Sequence, residues 1–309
     1  MSLSLFNEEE SLQVVQHIRQ RKFEMNTLLL VGGNLCLRTA KALAPTHWKC
    51  IGLRRNPVHS EDDDSITWYR ADLQDPASLS FLSDATFSEV SHILYAPSPD
   101  GRTATHYESI YSHGLTTLLS SLPPHCVNRL KRCILVGSSA VWAPSEDWIN
   151  EDSPVQATDF RARALLEAEA ALQATVRQGA GVTLRLSGLY GPGRMRLLEG
   201  LRAGTITVPD GPGHWANRIH IDDAARACAH LLALCDPQPL YIGTDNCPLP
   251  TSTLYDAVAK HIGVPAAARK SQAPSGKRLS NTRLRTSGWE PVWPNALDWY
   301  ERAWSESKR

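Results

Sequence analysis

Apolar residues fall in short continuous runs separated by stretches of helical periodicity. Residues 28–31 (Leu-Leu-Leu-Val) form one such run, the pattern of a strand buried on both faces rather than one. Leu35, Thr39, Ala42 and Leu43 come next at helical spacing. Residues 50–53, 66–73, 90–96, 133–139 and 181–187 predict five more strands. Pro76 opens a helix through Leu79 and Leu82. A longer one runs from His106 to Leu122 and is stopped by Pro123-Pro124. Residues 160–178 predict a third, rich in Ala, Leu, Arg and Glu. Strands alternating with helices specify an α/β fold, a doubly wound parallel sheet. Right-handed crossovers bring the loops after Val31, Leu53, Ala96 and Gly137 to one sheet edge, where such folds bind ligands.

After the sixth strand the composition shifts. Residues 188–194 are rich in glycine and proline, and Pro209, Pro237, Pro239, Pro248 and Pro250 break the C-terminal third of the chain into shorter pieces. We place the boundary of a small C-terminal substrate lobe here, with a Rossmann-like domain at 25–189 and the lobe at 190–309. Asp222 and Asp223 are expected to cap a helix through Ala227 and Leu231, and residues 240–243 to return to the main sheet. Residues 251–262 predict an amphipathic helix, 264–278 a basic loop, and the final helix carries Trp299 and Trp304. Residues 1–24 stand apart as an N-terminal arm, with Asn7 and Glu10 at capping-box spacing.

Gly32-Gly33, then Asn34 and Leu35, form a strand–turn–helix junction. Backbone N–H groups and the helix dipole there favour a phosphate. The turn is degraded relative to the three-glycine dinucleotide fingerprint, because Cys36 or Leu37 stands at the third position. Arg54 and Arg55 come after the second strand, with no carboxylate before Glu61. An acid at that place bonds the 2′-hydroxyl of NAD, whereas arginine accommodates the 2′-phosphate of NADP. NADP(H) is therefore expected over NAD(H).

The chain has 309 residues, and Lys plus Arg balance Asp plus Glu at 32 each. Neither nucleic acid nor membrane is an expected partner on that balance. No apolar run reaches the ~20 residues of a membrane span. A signal peptide is not evident either. Seven cysteines lie without Cys-x-x-Cys spacing, so no disulfide framework or zinc site is expected, and the location expected is cytoplasmic. His220 with Asp222 and Asp223 suits a helix start better than a metal.

Five segments together resemble the extended and atypical short-chain dehydrogenase/reductases, the NAD-dependent epimerase/dehydratase family: the glycine turn at 32–37, Ala71-Asp-Leu73, residues 133–142, residues 184–193 and Asn217-Arg-Ile-His-Ile-Asp-Asp223. The resemblance implies dinucleotide contacts at Gly32, Gly33, Asn34, Leu35, Arg54, Arg55, Asp72, Leu73, Ala96, Pro97 and Ser138. It also implies hydride transfer, with Ser138 at the family's catalytic serine and Ser139, Trp142, Arg194, Arg218 and His220 toward an unknown small or sugar-nucleotide-like substrate. The family's Tyr-x-x-x-Lys pair is absent. Phe160 or Arg161 stands near the tyrosine position and Ala164 or Leu165 near the lysine position, and Tyr111 replaces a usual asparagine. Tyr107, Tyr111, Tyr190 and His220 are the alternative proton donors, of which Tyr111 is the catalytic candidate. Arg161, Arg163, Arg194 and Arg218 are candidates to hold an anionic substrate. Two functions stay open: an oxidoreductase or epimerase, and a non-catalytic dinucleotide sensor or scaffold. Either is compatible with an oligomer.

Overall fold

The computed structural model describes residues 25–43, 47–57 and 65–307. The expected N-terminal arm and Glu61 lie outside them. Seven parallel strands form the central sheet: β1 (Asn26–Gly32), β2 (Trp48–Arg54), β3 (Ile66–Arg70), β4 (Val90–Ala96), β5 (Arg132–Ser138), β6 (Gly181–Leu186) and β7 (Leu240–Gly243). Their order is β7-β6-β5-β4-β1-β2-β3, a doubly wound sheet with β1 flanked by β4 and β2. Leu29 lies opposite both Ile51 of β2 and Ile93 of β4. Residues 240–243 return to the sheet and pair in parallel with β6, Leu240 opposite Thr183 and Gly243 opposite Leu186.

Because strand side chains alternate between faces, the apolar run of β1 feeds two cores at once. Leu28 and Leu30 pack with Leu94, Ile134, Leu184 and the helices α1 (Asn34–Ala42) and α4 (Ile221–Ala233). Leu29 and Val31 pack with Ile51, Ile93 and Tyr95, under α2 (Gly114–Ser121) and α3 (Phe160–Thr175). A third cluster gathers Tyr190, Leu198 and Leu201 with α5 (Thr251–Ile262) and α6 (Ala296–Ser307). The segment after 190 supplies this cluster and also returns to the main sheet through α4 and β7.

Several expected elements differ in kind. The helix opened by Pro76 is a 3-10 helix (Pro76–Ser83) with Asp75 accepting from Ala77 N. The predicted helix of 106–122 is α-helical at Ala104–Tyr107, π-helical at Glu108–His113 and then α2. Tyr95 explains the change. Its hydroxyl donates to the Ile110 carbonyl at 2.5 Å and would lie 2.5 Å from a Cβ at Gly114. A side chain bonding into the helix ladder perturbs its i→i+4 register. Residue 220, rather than Asp222 or Asp223, caps α4: His220 Nδ1 accepts from Asp222 N at 3.2 Å. Asp223 is buried and accepts from Val292 N and Trp293 N, which ties the C-terminal segment to α4. The basic loop contains two short pairings, Ala268–Lys270 with Thr207–Pro209 and Arg278–Leu279 with Trp148–Ile149. Beside β7, Ile242 N donates to buried Glu151 at 2.9 Å. The strand's edge is thereby occupied by a carboxylate rather than left open to another strand.

Candidate active site

The C-terminal ends of the strands open onto a cleft of about 1040 Å³. At one end β1 stops at Gly32, which takes φ +140°. A Cβ there would lie 2.5 Å from the Ala96 carbonyl oxygen, so only glycine brings β1 and β4 this close. Gly33 precedes α1 and no side chain caps that helix; its first turn holds no acid. The Asn34 side chain turns instead to Arg38, accepting from Nε at 2.9 Å. Free N–H groups with no competing carboxylate form the anion-binding end of a helix. Cys36, at the third glycine position, is fully buried and does not line the cleft. Burial and the neighbouring Cys228 thiol push its pKa far up, as expected of an inert core thiol.

The β2 end brings Arg54 and Arg55 to the cleft. The Arg54 guanidinium lies 4.9 Å from the Trp68 ring centre and its Nε donates to the Asn56 carbonyl at 2.8 Å. Arg55 reaches across and makes a two-point ion pair with Asp100, from the loop after β4. That pair holds the Asp100 carboxyl below its usual range. Both partners are exposed, so the pair itself contributes little stability. Asp72, Leu73, Ala96 and Pro97 line the cleft between these groups and Gly32.

Ser138 and Tyr111 also line the cleft. Ser138 ends β5, and its Oγ accepts from Ala140 N at 3.2 Å. An acceptor role there leaves the hydroxyl proton to point elsewhere. Tyr111 comes from the π-helical stretch, its ring tilted 39° against Tyr107 with centroids 5.7 Å apart, and Tyr107 meets Phe160 edge-on at 5.6 Å. Burial, and then Tyr107, push the Tyr111 phenol up to about 12. It is therefore a protonated phenol at neutral pH, fit to donate a proton or hydrogen bond and unfit to act as a base. Ser187 also lines the cleft, with a buried Oγ that no group among the described residues satisfies. Ala164 and Leu165, at the family's lysine position, are buried, and Arg161 pairs with Asp159 at the start of α3.

Of the residues singled out from sequence, the cleft collects Gly32, Gly33, Asn34, Leu35, Arg54, Arg55, Asp72, Leu73, Ala96, Pro97, Tyr111, Ser138 and Arg194. Ser139, Trp142, Arg218 and His220 do not line it. Trp142 is buried, its Nε1 donating to the Ser153 carbonyl and its ring 4.5 Å from the Arg185 guanidinium. Arg218 turns to the Tyr255 hydroxyl at 3.1 Å. Tyr190 and His220 are packed together with Trp299 in the small lobe. Asp100, Arg102 and Arg196 line the cleft unannounced by any motif, and Ser187 lines it from within the segment 184–193, where nothing singles it out. The expectation that the loop after Ala96 lies at the ligand-binding edge points to the neighbourhood of Asp100, not to the residue.

Burial holds His220 down at about 4 against an ordinary 6.5. The unfolded chain then takes up this proton before the folded one does, so stability falls as pH drops from 6.5 toward 4. His220→Asn keeps an acceptor for the helix cap and removes the titration. Urea unfolding at each end of that window should show about 3 kcal/mol less acid-dependent loss in the variant, whatever its stability at neutral pH.

A parallel seven-stranded sheet with a glycine turn, an uncapped helix start and a cationic cleft at its strand ends defines a dinucleotide-fold protein. The chain belongs to the NAD dependent epimerase/dehydratase family, whose model matches residues 30–243. A protein from Methylobacillus flagellatus assigned to the NAD-dependent epimerase/dehydratases is 30% identical, with a TM-score of 0.73 over 92% of this chain and 99% of its own. A functionally unknown conserved protein from Silicibacter pomeroyi is 24% identical, with a TM-score of 0.70 over 92% and 100%. UDP-glucose 4-epimerase from Thermus thermophilus, solved with NAD, shares the fold at 16% identity, with a TM-score of 0.72 over 91% and 99%. No curated protein matches in sequence. Among the described residues no helix is long and apolar enough to cross a membrane.

Proposed function

We propose that the chain binds NADP(H) in this cleft and acts as an oxidoreductase or epimerase on a small or sugar-nucleotide-like substrate. The observation that carries this reading is the pairing of an uncapped α1 start with Arg54 and Arg55 at the end of β2, all facing one cleft. The residues fit a dinucleotide: Gly32 and Gly33 leave room for its phosphates, and Arg54 and Arg55 for a 2′-phosphate. Such a cofactor supplies a hydride-transfer centre. Ser138 and Tyr111 would hold the reacting oxygen, each as a hydrogen-bond donor. With no lysine to lower its pKa, Tyr111 favours giving a proton to a developing alkoxide over taking one from an alcohol. Tyr111 would thus serve as the proton donor when the reaction runs as a reduction. Titration with NADPH and NADH, and then a carbonyl-substrate screen with NADPH, tests the proposal. Absence of binding at millimolar cofactor would sink it.

A second reading, a non-catalytic dinucleotide sensor, is favoured by the absence of the family's acid/base pair: Phe160 or Arg161 stands near the tyrosine position and Ala164 or Leu165 near the lysine position. NADPH binding without turnover across the screen, and without change on Tyr111→Phe, selects that reading. The Arg55–Asp100 pair adds a further expectation. A 2′-phosphate must take Arg55 from Asp100, so Asp100→Asn should tighten NADPH binding about two- to fivefold and leave NADH unchanged, read by fluorescence titration.

A further inference from the structure

The cleft is far more cationic than the chain. Its walls carry five arginines and two aspartates, in a sequence whose Lys plus Arg and Asp plus Glu balance at 32 each. Asp100 is already taken by Arg55, and Asp72 accepts from Gln74 N. Arg194 lines the cleft from the loop after β6, and among the described residues its side chain has no hydrogen bond or ion pair. Partial burial of the guanidinium, and after it the charge of Arg38 on α1, hold its pKa below the usual arginine value. A guanidinium placed near a second cation and given no counter-charge is a site prepared for an anion.

The local chain is built to keep Arg194 there. Its N–H donates to the Gly191 carbonyl at 2.9 Å, closing the turn Gly191-Pro192-Gly193-Arg194. Gly191 and Gly193 hold φ +125° and +78°, conformations that L side chains rarely adopt. A Cβ at Gly191 would lie 2.7 Å from His220 Nε2 and 2.9 Å from Ile221 Cγ2, so the turn rests on the start of α4. Asp222, the next residue of α4, receives the Arg38 guanidinium of α1, and Arg38 also holds Asn34 in the first turn of that helix. One short series of contacts thus leads from the Arg194 turn to the N-terminal end of α1. The main-chain N–H groups there offer an anion only partial charge. Arg194 adds a full positive charge and a planar pair of donors.

We propose that Arg194 is a cofactor-binding residue that holds the diphosphate of the dinucleotide together with the start of α1. The assignment rests on the cofactor reading above. It gives Arg194 to the group that NADPH and NADH share. The substrate, to which the family resemblance assigns Arg194, loses it, and the 2′-phosphate keeps Arg54 and Arg55 at the end of β2.

Arg194→Gln removes the charge from an exposed side chain, so the urea midpoint should stay with the parent's. Isothermal titration of the full-length protein with NADPH, NADH and ADP-ribose separates the readings, because all three carry the diphosphate and only two carry nicotinamide. Each dissociation constant should rise about tenfold in the variant, the worth of one charge-assisted contact, and Arg194→Lys should recover part of the loss. Arg196→Gln takes the same charge from the cleft lining and should change each constant less than about twofold. Unchanged constants in Arg194→Gln overturn the proposal. So does a loss confined to NADPH, which would move Arg194 to the 2′-phosphate, and so does an equal loss in Arg196→Gln, which would make the effect one of general charge. Failure of the cofactor reading looks different: a parent that binds ADP-ribose through Arg194 but neither nicotinamide cofactor loses that reading and keeps the diphosphate contact. A parent that binds none of the three overturns both.

Discussion

Gly32→Ala should cost about 3 kcal/mol or more of folding stability, measured as a shift in the urea midpoint. The new methyl would sit 2.5 Å from the Ala96 oxygen and 2.8 Å from its carbonyl carbon, both main-chain atoms of the neighbouring strand. Neither retreats without pulling β4 away from β1. The residue would also have to hold φ +140°, where an L side chain is strained. Gly33→Ala provides the contrast. A Cβ there meets nothing within 4 Å, so the variant should unfold as the parent does. It should nevertheless bind NADPH more weakly, because the methyl occupies the rim of the helix start where backbone and phosphate need to approach. A Gly33→Ala protein with undiminished NADPH affinity would place the phosphates elsewhere.

The second large effect is expected from Arg54→Ala with Arg55→Ala. Two charge-assisted contacts to a 2′-phosphate are together worth about 3 kcal/mol, so the NADPH dissociation constant should rise about 100-fold. NADH, which lacks that phosphate, should change little. Isothermal titration with both cofactors reads the ratio directly. Loss of affinity for both alike would argue against the 2′-phosphate assignment and for a general charge effect. Raising salt should weaken NADPH more than NADH for the same reason, since these arginines are half-buried or exposed and remain open to screening.

The sheet is legible in the sequence because its strands are covered on both faces. A run such as residues 28–31 is apolar throughout and lies within β1, Asn26–Gly32. The cleft is legible for a related reason: ligand-facing loops come directly after strands, so Gly32, Arg54, Pro97 and Ser138 are marked by position, and Asp72 by the family resemblance. What escapes is whatever depends on contacts between distant segments. Asp100 meets Arg55 across 45 positions of chain, and no local pattern pairs them. His220 reads as a cleft donor from its motif, yet Tyr190, Trp293 and Trp299 enclose it, and these lie far from it in the chain. Lys277 reads as one charge in a basic loop, yet its ammonium donates to the distant Trp142 carbonyl.

The π-helical stretch Glu108–His113 has a meaning as a count of residues. A single wide turn equals one residue inserted into an otherwise regular helix. Deleting one residue from it would let the helix close to its ordinary pitch. Everything before the deletion would then rotate by about 100° about the axis relative to α2. Tyr107 would swing off Phe160, and whichever residue replaced Tyr111 would have to meet the cleft from a new angle. The register of the aromatic residues along this cleft thus hangs on the presence of one residue, and removing it would be a larger change to the site than many substitutions within it.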